Sequence, residues 1–242
     1  MAVWPVALMQ QPISDGYEET YLESAIHHGM SVGRKNRLRD PSVMKQYTVK
    51  VVVDDDGKDT LYTFWSSTLG NGTETFDWVK FDDAVTAHTY RMLADPDVTT
   101  VGNGIWQVTL KLMDASPQRV IDTTVVPAAA SWPADLPQGG AVSGWRESWN
   151  GYALRSGLMQ GKTARSRGTL TEKRYSVSMM ITLAQKASFE TFYEDDLMLG
   201  TLTFTHAGWS TGATETYVLM APPKFQALGA GLFTLALEVV SL

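Results

Sequence analysis

Apolar residues occupy every second position in Tyr47-Thr-Val-Lys-Val-Val-Val53 and again in Tyr175-Ser-Val-Ser-Met-Met-Ile181. Alternation with β-branched side chains predicts a strand in each segment, with one face toward a core. Trp106-Gln-Val-Thr-Leu-Lys-Leu112 and Phe233-Thr-Leu-Ala-Leu-Glu-Val239 carry the same period. The first comes after Val101-Gly-Asn-Gly104 and predicts the second arm of a closing hairpin. Further strands are expected around Thr73 to Val79 and Thr201 to His206. Between Ala184 and Leu197 the period changes. Ala187, Phe189, Phe192, Tyr193 and Leu197 recur at roughly helical spacing, with Glu190 and Glu194 outward. A matching helix is expected at about Asp59 to Leu69, and Asp54-Asp-Asp-Gly57 ahead of it reads as a turn and helix entry.

These elements come in pairs because the chain is one unit written twice. At an offset of 128 residues Trp4-Pro5 falls on Trp132-Pro133, and Leu8, Gly16 and Glu19 fall on Leu136, Gly144 and Glu147. Gly29, Gly33, Arg37 and Arg39 fall on Gly157, Gly161, Arg165 and Arg167; Phe64, Leu69 and Phe76 fall on Phe192, Leu197 and Phe204. After one deleted residue the offset is 127, and Tyr90, Pro96, Gly102, Gly104 and Trp106 meet Tyr217, Pro223, Gly229, Gly231 and Phe233. A repeat of this length is far longer than a solenoid unit, so whole domains in tandem are expected. The boundaries read as 1–112 and 132–242, with 113–131 as a linker ending in Val-Val-Pro-Ala-Ala-Ala-Ser. The fold class expected is mainly β: two tandem small antiparallel β-sandwich or barrel domains, each with one short packed helix.

Composition narrows the function. The 242 residues include no cysteine, which excludes disulfides, thiolate metal sites and a cysteine nucleophile. The sequence shows neither a signal-peptide pattern nor an 18-residue apolar stretch, so neither secretion nor a membrane span is expected. A net charge of −6 argues against a dedicated nucleic-acid binder. That charge is unevenly shared. Trp4 to Leu112 holds 15 acidic and 10 basic residues, whereas Trp132 to the end holds 9 of each. The copies share a pattern but carry different surfaces.

Few segments suggest chemistry. Gly208-Trp-Ser-Thr-Gly212 matches a nucleophile elbow around Ser210, but no histidine comes after it and it lies between two expected strands, so a loop is favoured. Asp54-Asp55-Asp56-Gly57 lacks the twelfth-position glutamate of a calcium loop, that place being Trp65. His27-His28 has no third ligand nearby, and Gly70-x-Gly72 and Gly102-x-Gly104 read as turns. Asn71-Gly-Thr73 is a formal glycosylation sequon without the secretion that would give it meaning. The duplicated pairs Arg37/Arg39 and Arg165/Arg167 are the better candidates. They either cover apolar surface of their own domain or bridge to an adjacent subunit.

Ile13-Ser-Asp-Gly-Tyr17, the strand Tyr47 to Val53, the short helix, Thr75-Phe-Asp-Trp78 and the strand opening Trp106-Gln-Val-Thr-Leu succeed one another in a distinctive order. In that order and spacing each copy resembles the minor tail protein M family of lambda-like phages, related in role to distal tail proteins. The second copy departs at Ser143-Gly-Trp145 and His206, which stand for Asp-Gly-Tyr and Trp78. The resemblance implies a β-sandwich domain in a ring at the far end of a phage tail, joining the tail tube protein to the tail tip or baseplate hub. It implies no catalytic residue, cofactor or metal, and no membrane or specific nucleic-acid partner. It also implies a homo-oligomer, with the tape measure protein as an optional further contact, assembled in the host cytoplasm and located in the virion. Three chains would supply six quasi-equivalent domains; six chains, with one copy decorating, is the other arrangement. Rival readings are a glycan-binding module using Trp65, Trp145, Trp149 and Trp209, and a hydrolase using Ser210.

Overall fold

The computed structural model describes residues 2–13, 16–23, 25–28, 35–79, 81, 87–116, 120–121, 130–138, 144–155, 164–209 and 212–242. The first copy runs β1 (Ala2–Val3), β2 (Tyr17–Tyr21), β3 (Ala25–His28), β4 (Lys35–Leu38), β5 (Lys45–Asp54), α1 (Asp55–Thr63), β6 (Thr75–Val79), β7 (Ala87–Met92), β8 (Asp97–Gly102) and β9 (Ile105–Asp114). The second runs β10 (Ala130–Ser131), β11 (Gly144–Arg155), β12 (Ala164–Thr182), α2 (Leu183–Thr191), β13 (Thr203–Ala207), β14 (Thr214–Leu219), β15 (Lys224–Gly229) and β16 (Leu232–Ser241). The chain is mainly β, as its alternating pattern predicts. Among the described residues no helix is long and apolar enough to cross a membrane.

The contacts divide the chain into two units, and each is discontinuous in sequence. Unit 1 holds Met1–Leu22, Ser42–Val120 and Lys224–Thr234; unit 2 holds Glu23–Pro41, Ile121–Pro223 and Leu235–Leu242. In unit 1, β9 pairs with β5 along one edge and with β8 and then β7 along the other. β7 continues to β6, β6 to a parallel β1, and β5 to β2. Beyond β2 lies β15, antiparallel. In unit 2, β10, β13, β14 and β16 come in order, and the long β11–β12 hairpin joins them through β12.

The repeat is visible bond by bond. Ala2 pairs with Phe76 as Ala130 pairs with Phe204, and Tyr17 with Val49 as Trp145 with Val177. The Trp4 indole donates to Met9 O and the Trp132 indole to Pro137 O. Gln10 donates to the carbonyls of Pro5 and Leu8, and Gln138 to those of Pro133 and Leu136. Each core holds an aromatic cluster, part of which repeats in geometry. Trp4–Phe64 and Trp132–Phe192 centroids lie 5.7 and 5.8 Å apart, edge to face; Phe64–Phe76 and Phe192–Phe204 lie 5.6 Å apart in both. Edge-to-face packing at this spacing is what ring quadrupoles favour. Trp4, Phe64 and Phe76 and their counterparts Trp132, Phe192 and Phe204 are therefore core residues in both copies.

Both helices form for local reasons. Asp54 caps α1 by accepting from Gly57 N–H at 2.8 Å, and Asp55 and Asp56 face the positive end of the helix dipole. Thr182 and Gln185 cap α2 reciprocally as a capping box. Both helices widen into a π turn, Phe64–Thr68 and Phe192–Asp196, where Leu69 N–H reaches Phe64 O and Leu197 N–H reaches Phe192 O. The wider turn inserts an extra residue and rotates the side chains beyond it around the helix axis. Glu194 lies inside this turn and is buried where regular helical spacing points it outward; ahead of the turn, Ala187 is exposed and Lys186 takes the buried position. The hairpin turns Asn103-Gly104 and Ala230-Gly231 place both residues at positive φ, the geometry that matches strand twist in two-residue hairpins.

Candidate functional site

The duplicated arginines sit on duplicated hairpins. In the β3–β4 pair Ala25 faces Leu38 and Ile26 faces Arg37; in the β11–β12 pair Ala153 faces Ser166 and Leu154 faces Arg165. Arg37, on β4, and Arg39, just beyond it, are both exposed. Arg165 and Arg167 lie on β12, and their side chains fall outside the described residues. The hairpins differ in one respect. β12 runs unbroken over 19 residues, whereas its counterpart is split into β4 and β5. Pro41 lies in the gap where the second copy has Thr169, and proline has no N–H to give a ladder.

The motifs that suggest chemistry occupy structural positions. Ser210 itself lies outside the described residues, but its flanks connect two antiparallel strands, β13 and β14. There Gly208 N–H donates to Ala213 O and Gly212 N–H to Gly208 O, a strand-to-strand turn rather than the strand-to-helix elbow. Nearby His206 is buried, with its ring 4.4 Å from Trp209 and 5.3 Å from Trp132. Burial lowers its pKa from the usual 6.5, and neither ring nitrogen has a partner among the described residues. Asp54 to Asp56 form the cap and first turn of α1. Asp55 accepts the Trp106 indole N–H at 2.7 Å while Lys58 stands over the Trp106 ring. No group of three or more metal-ligating side chains occurs among the described residues, and the side chains of His27 and His28 lie outside them. Of the four tryptophans of the glycan-platform reading, Trp209 is in the core, Trp65 is part-buried and Trp145 is exposed. The Trp149 side chain is outside the described residues.

The sheet edges distinguish the copies most sharply. Glu19 on β2 is buried; it accepts from the Tyr17 hydroxyl and pairs with Lys45 Nζ at 3.0 Å. Lys45 also stands over the Tyr21 ring. Strand β15 lies along this edge with Phe225 opposite Glu19. The equivalent edge in the second copy is that of β11. Among the described residues β11 pairs only with β12, and Trp145 is 41% exposed where Tyr17 is 3% exposed. The same contrast holds for the covering strand. Phe225 is fully buried, while Val98, its counterpart on β8, is 41% exposed, and among the described residues β8 pairs only with β9.

A second contrast runs along the helices. In unit 2 Lys186 is buried and ion-paired with Glu190 at 2.8 Å, and Tyr193 is buried. Burial first, then the Glu194 and Glu23 carboxylates, hold the Tyr193 hydroxyl far above its usual pKa. Glu23 belongs to the segment Glu23–Pro41 of the same unit. In unit 1 the corresponding face of α1 borders an open groove of about 410 Å³, lined by Lys58, Leu61, Tyr62, Trp65, Pro96 and Val98. Tyr62 is 65% exposed there.

Sequence periodicity could not reveal these edges, because pairing between strands some two hundred residues apart leaves no local pattern. Phe225 and Val98 are aligned, as are Tyr17 and Trp145, and the alignment does not show which member of each pair is covered. No protein-family model matches the chain, and no curated protein matches it.

Proposed function

We propose that this chain is a structural virion protein, a minor tail or distal tail ring component that joins a phage tail tube to the tail tip or baseplate hub. The carrying observation is one aromatic framework built twice with different edges and charge on each copy. A repeated frame with a varied rim suits an adaptor between unlike neighbours. The order of motifs that resembles the tail protein M family supports the same reading. The reading assigns no catalytic step, cofactor or metal. Its partners are other copies of the chain, a tail tube protein and a tail tip or hub protein at the distal end of the tail, with the tape measure protein as an optional further contact. A trimer with pseudo-sixfold symmetry and a hexamer are the two arrangements this reading allows.

The test is imaging of the purified chain combined with its native mass. A closed ring of about 80 kDa corresponds to three chains of 26.7 kDa, and about 160 kDa to six. Specific labelling of the distal tail by an antibody against the chain supports the assignment. Absence of the chain from purified virions overturns it.

A further inference from the structure

Strand β15 lies antiparallel along β2, with Lys224, Phe225 and Gln226 opposite Thr20, Glu19 and Glu18. β15 comes from the second sequence copy and β2 from the first, yet both lie in unit 1. The repeat presents the same two edges once more: β8 is the counterpart of β15, and β11 is the counterpart of β2. Neither edge is paired among the described residues. We infer that β8 of one chain pairs with β11 of a second copy of this chain, repeating the β15–β2 junction between molecules. The repeat offsets fix the register: Asp97 opposite Ser148, Val98 opposite Glu147, and Thr99 opposite Arg146.

Three observations carry this. The first is burial: the residues that β15 and β2 hide, Phe225 and Tyr17, are replaced by half-exposed Val98 and Trp145 on the unpaired edges. An unpaired strand bearing apolar side chains is a template for another strand.

The second is charge. Lys224 and Glu18 share one face of the existing junction as diagonal neighbours, within reach of long side chains. Their counterparts are Asp97 and Arg146. Both signs are reversed, so attraction is kept across the inferred junction. The exchanged pairings, Lys224 with Arg146 or Asp97 with Glu18, would set like charges together. Such an arrangement specifies partners as well as attracting them.

The third is the groove beside α1. In unit 2 the equivalent helix face is buried and has Glu23 near Tyr193. Glu23 comes just after β2, and Gly151 is its counterpart within β11. The neighbour's chain just past Asn150 therefore crosses the groove at Tyr62 and Trp65. A contact of β8 on one molecule with β11 on the next is head-to-tail, which closes a ring or propagates a filament.

The inference rests on the internal pairing and not on the virion reading. A head-to-tail oligomer found outside any tail keeps it, whereas a monomer that binds a tail tube sinks it. The cysteine-free chain makes the test clean. Chains carrying Val98→Cys with Glu147→Cys, or Asp97→Cys with Ser148→Cys, are oxidised and run on a denaturing gel. Successive cross-strand pairs alternate between close and wide spacing, so one of the two suits a disulfide. The expected result is intermolecular cross-linking at least about tenfold faster than in Thr99→Cys with Glu147→Cys, whose side chains project from opposite faces. Equal rates in the control, or single-chain bands throughout, overturn the inference. Reversal of charge gives an independent readout from native mass. Asp97→Arg alone weakens association, and Asp97→Arg with Arg146→Asp restores it. An unsubstituted chain that has the mass of one molecule at every concentration also overturns it.

Discussion

Trp4 lies flat on Trp78, with ring centroids 3.9 Å apart and planes 11° from parallel, whereas Trp132 meets His206 edge-on at 5.3 Å. Trp78 donates its indole N–H to Gln10 O, and His206 has no such bond among the described residues. A second difference adjoins it: Phe81 meets Tyr90 stacked at 5.0 Å, whereas its counterpart Trp209 meets Tyr217 edge to face at 4.6 Å. Trp4→Ala and Trp132→Ala are each expected to destabilise the chain by about 3–5 kcal/mol through loss of a buried indole and the cavity left behind. Urea denaturation monitored by far-UV circular dichroism checks this, and a loss below about 1 kcal/mol for either contradicts a core role.

His206 makes stability depend on pH in a definite direction. Its folded pKa lies below the ordinary 6.5, so the unfolded chain binds the proton more readily. The associated stability is fully present above pH 6.5 and is lost as pH falls from there through the folded pKa. His206→Phe is expected to flatten this part of the profile of midpoint against pH. An unchanged slope in the variant would place the titration elsewhere.

Glu19 and Glu147 are aligned, but their substitution is expected to have unequal effects. Glu19→Ala strips the Tyr17 hydroxyl and the Lys45 ammonium of a buried partner and is expected to cost about 3 kcal/mol. Glu147 is only part-buried, and Glu147→Ala is expected to cost under about 0.5 kcal/mol when measured on dilute single chains. Equal losses would contradict the difference in cover at the two edges.

Ala230 occupies the left-handed region at φ 52°, where the first copy has Asn103 at φ 53°. Asparagine tolerates this region better than alanine, so Ala230→Asn is expected to stabilise by roughly 0.5–1 kcal/mol. Thermal melting of the two chains side by side decides it, and a lowered midpoint counts against the turn assignment.

The legible parts of the sequence are those governed by local physics. Alternation locates β5, β9, β12 and β16, and the capping residues and helical spacing locate α1 and α2 to within a few residues. Helical spacing misplaces Glu194 because a π turn shifts the register without any marker in composition. The edges are hidden for a different reason. Whether Val98 or Phe225 is covered depends on a strand distant in sequence, and alignment of the copies treats both positions as the same. The arginine pairs emerge from the repeat alone, and the structure puts Arg37 and Arg39 on open surface without identifying what they meet.

The β15–β2 pairing also sets an order of events. Its two strands belong to one polypeptide, so they meet at an effective concentration that dilution cannot lower, on the order of millimolar for a flexibly tethered pair. A junction between separate molecules obeys mass action and dissolves on dilution. On the inferred β8–β11 pairing, the chain would fasten its first joint while folding, alone, and leave the second to form only as the concentration of neighbours rises.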